Sequence, residues 1–185
     1  IKFIFPNCKN KILKVNLSID HKKFKIPLKK NNLITLMPKK LGDHFHILSL
    51  LLFEKLPKKW KIESLSNLDE KILFEKLGKS KIFLSFSYLD GFGLPPLEAA
   101  IAGNKVIGYS GGGGKEYWTK PIFDEIQPGN IKHFCEKILD AVNNLPRDWH
   151  KKTFGRRKIL INKYSPTNEK KLIKKLIHKV YSCYN

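Results

Sequence analysis

Residues 82–109 read IFLSFSYLDGFGLPPLEAAIAGNKVIGY. Ile82 to Phe86 is a short apolar run, which predicts a buried strand. Gly91 and Gly93 follow as a glycine-rich turn, and Pro95 and Pro96 suit the first turn of a helix, where backbone N–H groups have no internal partner. The helix is expected to run from about Pro95 to Ala102 and to stop at Gly103. Lys105 to Tyr109, with Val106 and Ile107 at its centre, predicts the next strand. Strand, glycine turn, helix and strand in this order form a βαβ unit, so the sheet is expected to be parallel and covered on both faces.

Working outward, the same alternation continues. Leu33 to Met37, ended by Pro38, and Trp60 to Glu63 predict two further strands. Between them a helix is expected from a cap at Asp43 to about Leu56, with Phe45, Leu48, Leu51 and Leu52 on its apolar face and Pro57 as its stop. Another helix is expected from Asn67 or Leu68 to near Gly78. Asn130 to Asn144 carries Ile131, Phe134, Ile138, Leu139 and Val142 at helical spacing, an amphipathic pattern. Two closing helices are expected over 147–164 and 166–181. Lys2 to Phe5 and Ile12 to Leu17 alternate weakly, as strands do. No internal repeat or low-complexity linker interrupts the chain.

Composition narrows the function classes. Apolar residues make up 42% of 185 residues, enough for the core of one domain rather than a disordered chain. No run reaches the ~18 apolar residues of a membrane helix, and Ile1 to Pro6 is too short for a secretory signal. Position 1 is Ile rather than Met, so the chain is expected to be part of a longer one. Cys8, Cys135 and Cys183 are odd in number and far apart, which fits neither a disulfide framework nor a zinc site and points to a reducing, cytoplasmic setting. The net charge of +20 attracts polyanions. However, arginine occurs only at Arg147, Arg156 and Arg157. Lysine spread along the chain reads mainly as solvated surface, and no DNA- or RNA-reading motif is present.

The candidate site lies at the glycine turns, 91–93 and 111–114. Both follow predicted strands, and in open parallel sheets ligands bind beyond the carboxyl ends of strands. The amides at the start of the following helix and its dipole favour an anion. Asp90 before the turn and Glu98 in the helix are two carboxylates suited to accepting hydrogen bonds from ribose or sugar hydroxyls. A P-loop is not met, since Tyr109 and Glu116 stand where Gly and Ser or Thr are needed. A GxGxxG dinucleotide turn is not met either. His44 and His46 read as solvated residues at a helix start, and Trp118 as a packing residue.

Asp90 to Glu98, with Gly-Phe-Gly-Leu-Pro between them, resembles the E-x7-E signature of the large family of retaining glycosyltransferases that includes sucrose and glycogen synthases. Gly103 to Ile107 looks like that family's G-x-P-V-V strand without its proline. Gly111 to Glu116 looks like its G-G-x-x-E loop, and Pro38-Lys39-Lys40 like its basic pair. The resemblance covers roughly residues 33–164, with four segments in the family's order. It implies one Rossmann-like half of a GT-B fold, with about six strands. Residues 1–32 would be linker and edge strands from a preceding domain, 33–164 the donor domain, and 165–185 a C-terminal helix.

The resemblance also implies roles. Glu98 would bind the ribose, and Asp90 the donor sugar. Gly91, Phe92, Gly93 and Leu94 would face sugar and diphosphate, Lys39 and Lys40 the leaving diphosphate, and Gly112, Gly113 and Glu116 would shape the pocket. The donor would be a UDP-, GDP- or ADP-sugar, with no metal or other cofactor, and the acceptor domain would precede this one. Polysaccharide synthesis beside an anionic membrane surface fits such an enzyme. Two departures stand out: Asp90 is one methylene shorter than the family's first glutamate, and the basic pair is Lys-Lys. A non-catalytic nucleotide-sugar binder and a basic nucleic-acid-binding module are the alternative readings.

Overall fold

The computed structural model describes residues 13–37 and 41–182. Two compact units are present: His21–Lys158, and a smaller one within Ile1–Asp20 and Ile159–Asn185. The larger unit holds a five-stranded sheet of β1 (Leu33–Leu36), β2 (Lys61–Ser64), β3 (Ile82–Asp90), β4 (Lys105–Gly112) and β5 (Phe123–Glu125). The strand order is β2-β1-β3-β4-β5, and every neighbouring pair is parallel. The chain leaves β1 towards β2 on one side and returns to β3 on the other. This makes the β1/β3 boundary a topological switch point, where a parallel sheet opens a crevice.

Side-chain alternation with period two assigns the faces. Ile34, Leu36, Ile82, Leu84, Phe86, Ile107 and Tyr109 form one core cluster with Leu48 and Leu52 of α1 (Gly42–Leu52) and Phe134 and Ile138 of α4 (Ile131–Asn144). Each such fully buried large side chain stabilises the fold by about 1.5–3 kcal/mol. α2 (Glu70–Lys79) and α3 (Leu94–Ile101) pack on each other and on the strands, contributing buried Phe74, Leu77, Leu97, Ala99 and Ala100. α4 begins at Ile131, one residue inside the expected start, because Asn130 caps it: its Oδ1 accepts from the His133 N–H at 3.1 Å. Three helices close the chain: α5 (Trp149–Lys152), α6 (Phe154–Lys163) and α7 (Pro166–Tyr181). Ser165 caps α7 by accepting from the Asn168 N–H at 3.1 Å.

Several boundaries differ from the sequence expectation. Five strands are found among the described residues rather than about six, and β5, only three residues long, is too short to show a period. β3 continues past Phe86 to Asp90, because its pairing with β4 extends through Ser87↔Ser110 to Asp90↔Gly112 across an irregularity. Asp43 sits inside the first turn of α1, whose cap position is Leu41, and α1 ends at Leu52 rather than near Leu56. The stretch expected as one helix over 147–164 divides at Thr153, whose hydroxyl donates to the Trp149 carbonyl at 2.8 Å. Residues 13–17 form no strand; the segment runs along the end of α6, with the Ile19 N–H donating to Tyr164 O at 2.8 Å. Lys2 to Phe5 lies outside the described residues, as do Cys8 and Cys183. No helix among the described residues is long and apolar enough to cross a membrane.

Candidate functional site

The carboxyl ends of β1, β3 and β4 define one edge of the sheet. β3 and β4 end in the two glycine turns, and these turns touch. A Cβ on Gly113 would stand 2.0 Å from Gly91 O and 2.6 Å from Asp90 O, so only glycine allows this backbone contact. Asp90 is half-buried at the end of β3 and pairs with Gly112. Gly91 and Gly112 have nothing within 4 Å of where a Cβ would stand, so their outer sides face open space. Asp90, Gly91, Gly112 and Gly113 therefore form one patch. Glu116 is half-buried in the one-turn 3₁₀ helix Gly113–Glu116 directly after it.

The turn after β3 leads into α3. Gly93 takes the cap position with φ 75°, a left-handed conformation in which a side chain would be strained. No side chain caps this helix. Pro95 and Pro96 carry no N–H, so the free amides at this terminus belong to Gly93 and Leu94. Tyr117 fixes the turn from behind: its hydroxyl is within hydrogen-bond distance of the carbonyls of Phe92 (3.1 Å) and Gly93, donating its proton to this pair. Burial pushes the Tyr117 phenol far above its ordinary value, so it remains a donor at any physiological pH. Its ring packs on Phe92 at 5.5 Å and on Phe123 at 5.5 Å. Trp118 is buried and stacks on Phe123 at 4.9 Å, the packing role read from the sequence.

Glu98 lies in the second turn of α3 and is half-buried. Burial pushes its carboxyl up; the neighbouring Glu70 carboxylate adds to that, and the Lys23 ammonium opposes it. Lys23 in turn bridges Glu70 at 2.8 Å. Glu70 is the first residue of α2, so Glu98 and the start of α2 share one neighbourhood. A carboxylate that loses solvation without a dedicated partner is costly unless an incoming donor satisfies it.

On the opposite face of the sheet, His44 is not simply solvated. Its Nδ1 lies 3.0 Å from Tyr109 Oη, and the two rings meet edge to face at 5.7 Å. His46 is exposed, as expected. Burial pushes the Tyr109 phenol up, partly offset by a hydrogen bond from the Gly129 backbone. Tyr117 and the His44–Tyr109 pair were invisible to sequence reasoning, because each contact spans tens of residues. Pro38, Lys39 and Lys40 lie outside the described residues. Among the described residues no group of three or more His, Cys, Asp or Glu side chains is placed to hold a metal.

No protein-family model matches the sequence, and no curated protein does either. Solved structures do match in fold. TarM from S. aureus, in complex with fondaparinux, alpha-GlcNAc-glycerol and UDP, aligns with TM-score 0.69 and 19% identity, covering 95% of this chain and 42% of that one. Sucrose-phosphate synthase from Thermosynechococcus elongatus aligns with TM-score 0.63 and 13% identity, covering 91% and 52%. The pneumococcal O-GlcNAc transferase GtfA, in complex with UDP and GlcNAc, aligns with TM-score 0.55 and 14% identity, covering 91% and 38%. The fold is that of a Rossmann-like domain of a GT-B glycosyltransferase, and the chain spans about two-fifths to half of the length of these proteins.

Proposed function

We propose that this chain is the donor-binding half of a retaining glycosyltransferase. The observation that carries the proposal is Glu98, a desolvated carboxylate on the helix that follows an open glycine turn at the switch-point edge. The ribose hydroxyls of a nucleotide donate to Glu98, which restores the hydrogen bonds that burial removed. The diphosphate meets the Gly93 and Leu94 amides at the start of α3, where the dipole favours negative charge. Open space beside Gly91 and Gly112 admits the sugar, whose hydroxyls reach Asp90. Lys39 and Lys40 stabilise charge on the leaving diphosphate. The donor is a UDP-, GDP- or ADP-sugar; UDP occupies two of the fold relatives named above.

The whole enzyme pairs this half with an acceptor domain preceding it, and transfer proceeds with retention at the anomeric carbon, as the resemblance implies. The setting is cytoplasmic, at the face of an anionic membrane, and the 185 residues alone bind donor without turnover.

Calorimetric titration with UDP, GDP, ADP and their sugar conjugates, beside Glu98→Gln, tests the proposal. Saturable binding to one nucleotide, weakened about tenfold or more in the variant, is expected. Equal weak binding to all three, unchanged by the substitution and lost at high salt, would leave only diffuse attraction by lysines.

A further inference from the structure

The opposite edge of the sheet, at the amino ends of β1, β2 and β3, carries a second concavity of about 620 Å³. Its wall contains Lys29, Lys30, Lys59, Lys81 and Arg147, three carboxamides (Asn31, Asn32 and Asn143) and Trp60, and among the described residues no aspartate or glutamate lines it. This is not the solvated lysine surface found elsewhere. Lys81 is buried at 8% exposure. Its ammonium donates to Asn32 Oδ1 at 2.6 Å and lies 5.6 Å from the centre of the Trp60 ring. Burial pulls its pKa down, and Arg147, Lys29 and Lys59 each pull it further. Five cations thus line one hollow; Lys30 spends its ammonium on the Leu77, Ser80 and Ala102 carbonyls, and the repulsion among the other four is a standing cost that a bound anion would remove.

We propose that this concavity binds the phosphate group of a small ligand, a phosphate monoester or diphosphate, independently of the donor edge. Lys81, recessed beside Asn32, is the floor of the site. Lys59 and Arg147, both exposed, close over the anion from the rim, and the guanidinium offers a bidentate fork to phosphate oxygens. Asn31 and Asn143 supply neutral donors, which suits a compact anion rather than the extended backbone of a nucleic acid. The volume is that of a small-molecule site.

The test is titration of the ¹⁵N-labelled chain with pyrophosphate at ~0.15 M salt, following the side-chain amides of Asn31, Asn32 and Asn143. These resonances are expected to shift saturably. The double variant Lys59→Gln/Arg147→Gln should weaken the effect about tenfold or more, while Lys174→Gln/Lys175→Gln, of equal charge loss off the concavity, changes it less than about twofold. Vesicles of phosphatidylglycerol against phosphatidylcholine separate the sources. Binding to phosphatidylglycerol that the first double variant abolishes supports the site with a lipid headgroup as its ligand. Pyrophosphate binding without vesicle binding supports it with a soluble phosphate. No saturable shift at these amides, or equal loss in both double variants, would overturn the proposal. Shifts confined to the residue 90–94 turn would do the same, since pyrophosphate would then be reading the donor edge alone.

Discussion

The two edges of the sheet handle polar groups in opposite ways. Beneath the carboxyl ends of α2 and α3, at the amino edge, Lys30, Asn104, Ser80 and Thr35 form a buried hydrogen-bonded network, beside an Arg157 guanidinium whose Nε and Nη1 have no hydrogen-bond partner among the described residues. Lys30 donates to the carbonyls of Leu77, Ser80 and Ala102 at 3.3, 2.8 and 2.7 Å, matching three N–H bonds to three orphan carbonyls at two helix ends. Asn104 donates to Leu77 O and Ala99 O and accepts from Ser80, whose oxygen also meets Thr35 at 3.1 Å. Gly103, at φ 85°, ends α3 where a Cβ would collide with Arg157 Nη1 at 2.3 Å. The carboxyl edge is built the other way. Its turn glycines Gly91 and Gly112 leave open space, its helix start has no side-chain cap, and its Glu98 carboxylate is under-solvated. The amino-edge network is a stability device, whereas the carboxyl edge gives up some stability to keep groups available, as binding sites do.

Substitutions can break this contrast, beginning with the largest effect. Asn104→Ala removes three side-chain hydrogen bonds from a buried site, one each to Leu77 O, Ala99 O and the Ser80 hydroxyl, while Lys30 still reaches Leu77 O and the residue-104 N–H still reaches Ala99 O. A loss of about 2–4 kcal/mol in chemical denaturation is expected, with nucleotide affinity unchanged at temperatures where the variant is folded. A cost near zero would mean that the network is not what holds this edge.

Tyr117→Phe is intermediate. It removes one hydroxyl that serves the Phe92 and Gly93 carbonyls, so about 1 kcal/mol of stability should be lost. Because those carbonyls belong to the ligand-facing turn, nucleotide affinity should fall in the same variant. Calorimetry that finds stability lost but affinity intact would place the turn outside the ligand site.

Glu98→Gln is the smallest effect on stability and of opposite sign. Its folded pKa lies above the unfolded one, so the folded state holds the proton more tightly. Stability from this group is full below the unfolded pKa and is lost as pH rises through the raised folded value. Above that value the ionised carboxylate is a net cost, which glutamine removes. The variant should therefore melt slightly higher than wild type at neutral pH, and the difference should shrink in acid. A lower melting point at neutral pH would make Glu98 a structural group.

Much of this was legible in the sequence, and the reasons are local. The apolar runs at Leu33 and Ile82, the Val106–Ile107 centre of β4, the helical spacing from Ile131 to Val142 and the Gly103 stop each express a rule that acts within a few residues. What escaped acts at a distance or over too few residues. β5 has three residues and no period. β3 reaches Asp90 only because β4 is there to pair with it. Lys30 looked like one surface lysine among many, and its burial depends on two helix ends 47 and 72 residues away. The resemblance implied only that Gly113 shapes the pocket; its close approach to the Gly91 backbone depends on a turn 22 residues away. At the site, the residues and their order could be read from the sequence, but the Tyr117 support and the desolvation of Glu98 arise only from packing.

The central claim is that nucleotide-sugar binds the carboxyl edge of this sheet. Backbone amide mapping with UDP, GDP and ADP sugars in a ¹⁵N-labelled chain addresses it most directly. The account predicts that one nucleotide shifts Gly91, Gly93, Leu94 and Gly112 saturably and that Glu98→Gln moves the midpoint to about tenfold or more higher concentration. Shifts that appear instead only around Asn32 and Lys81 at the amino edge would contradict it.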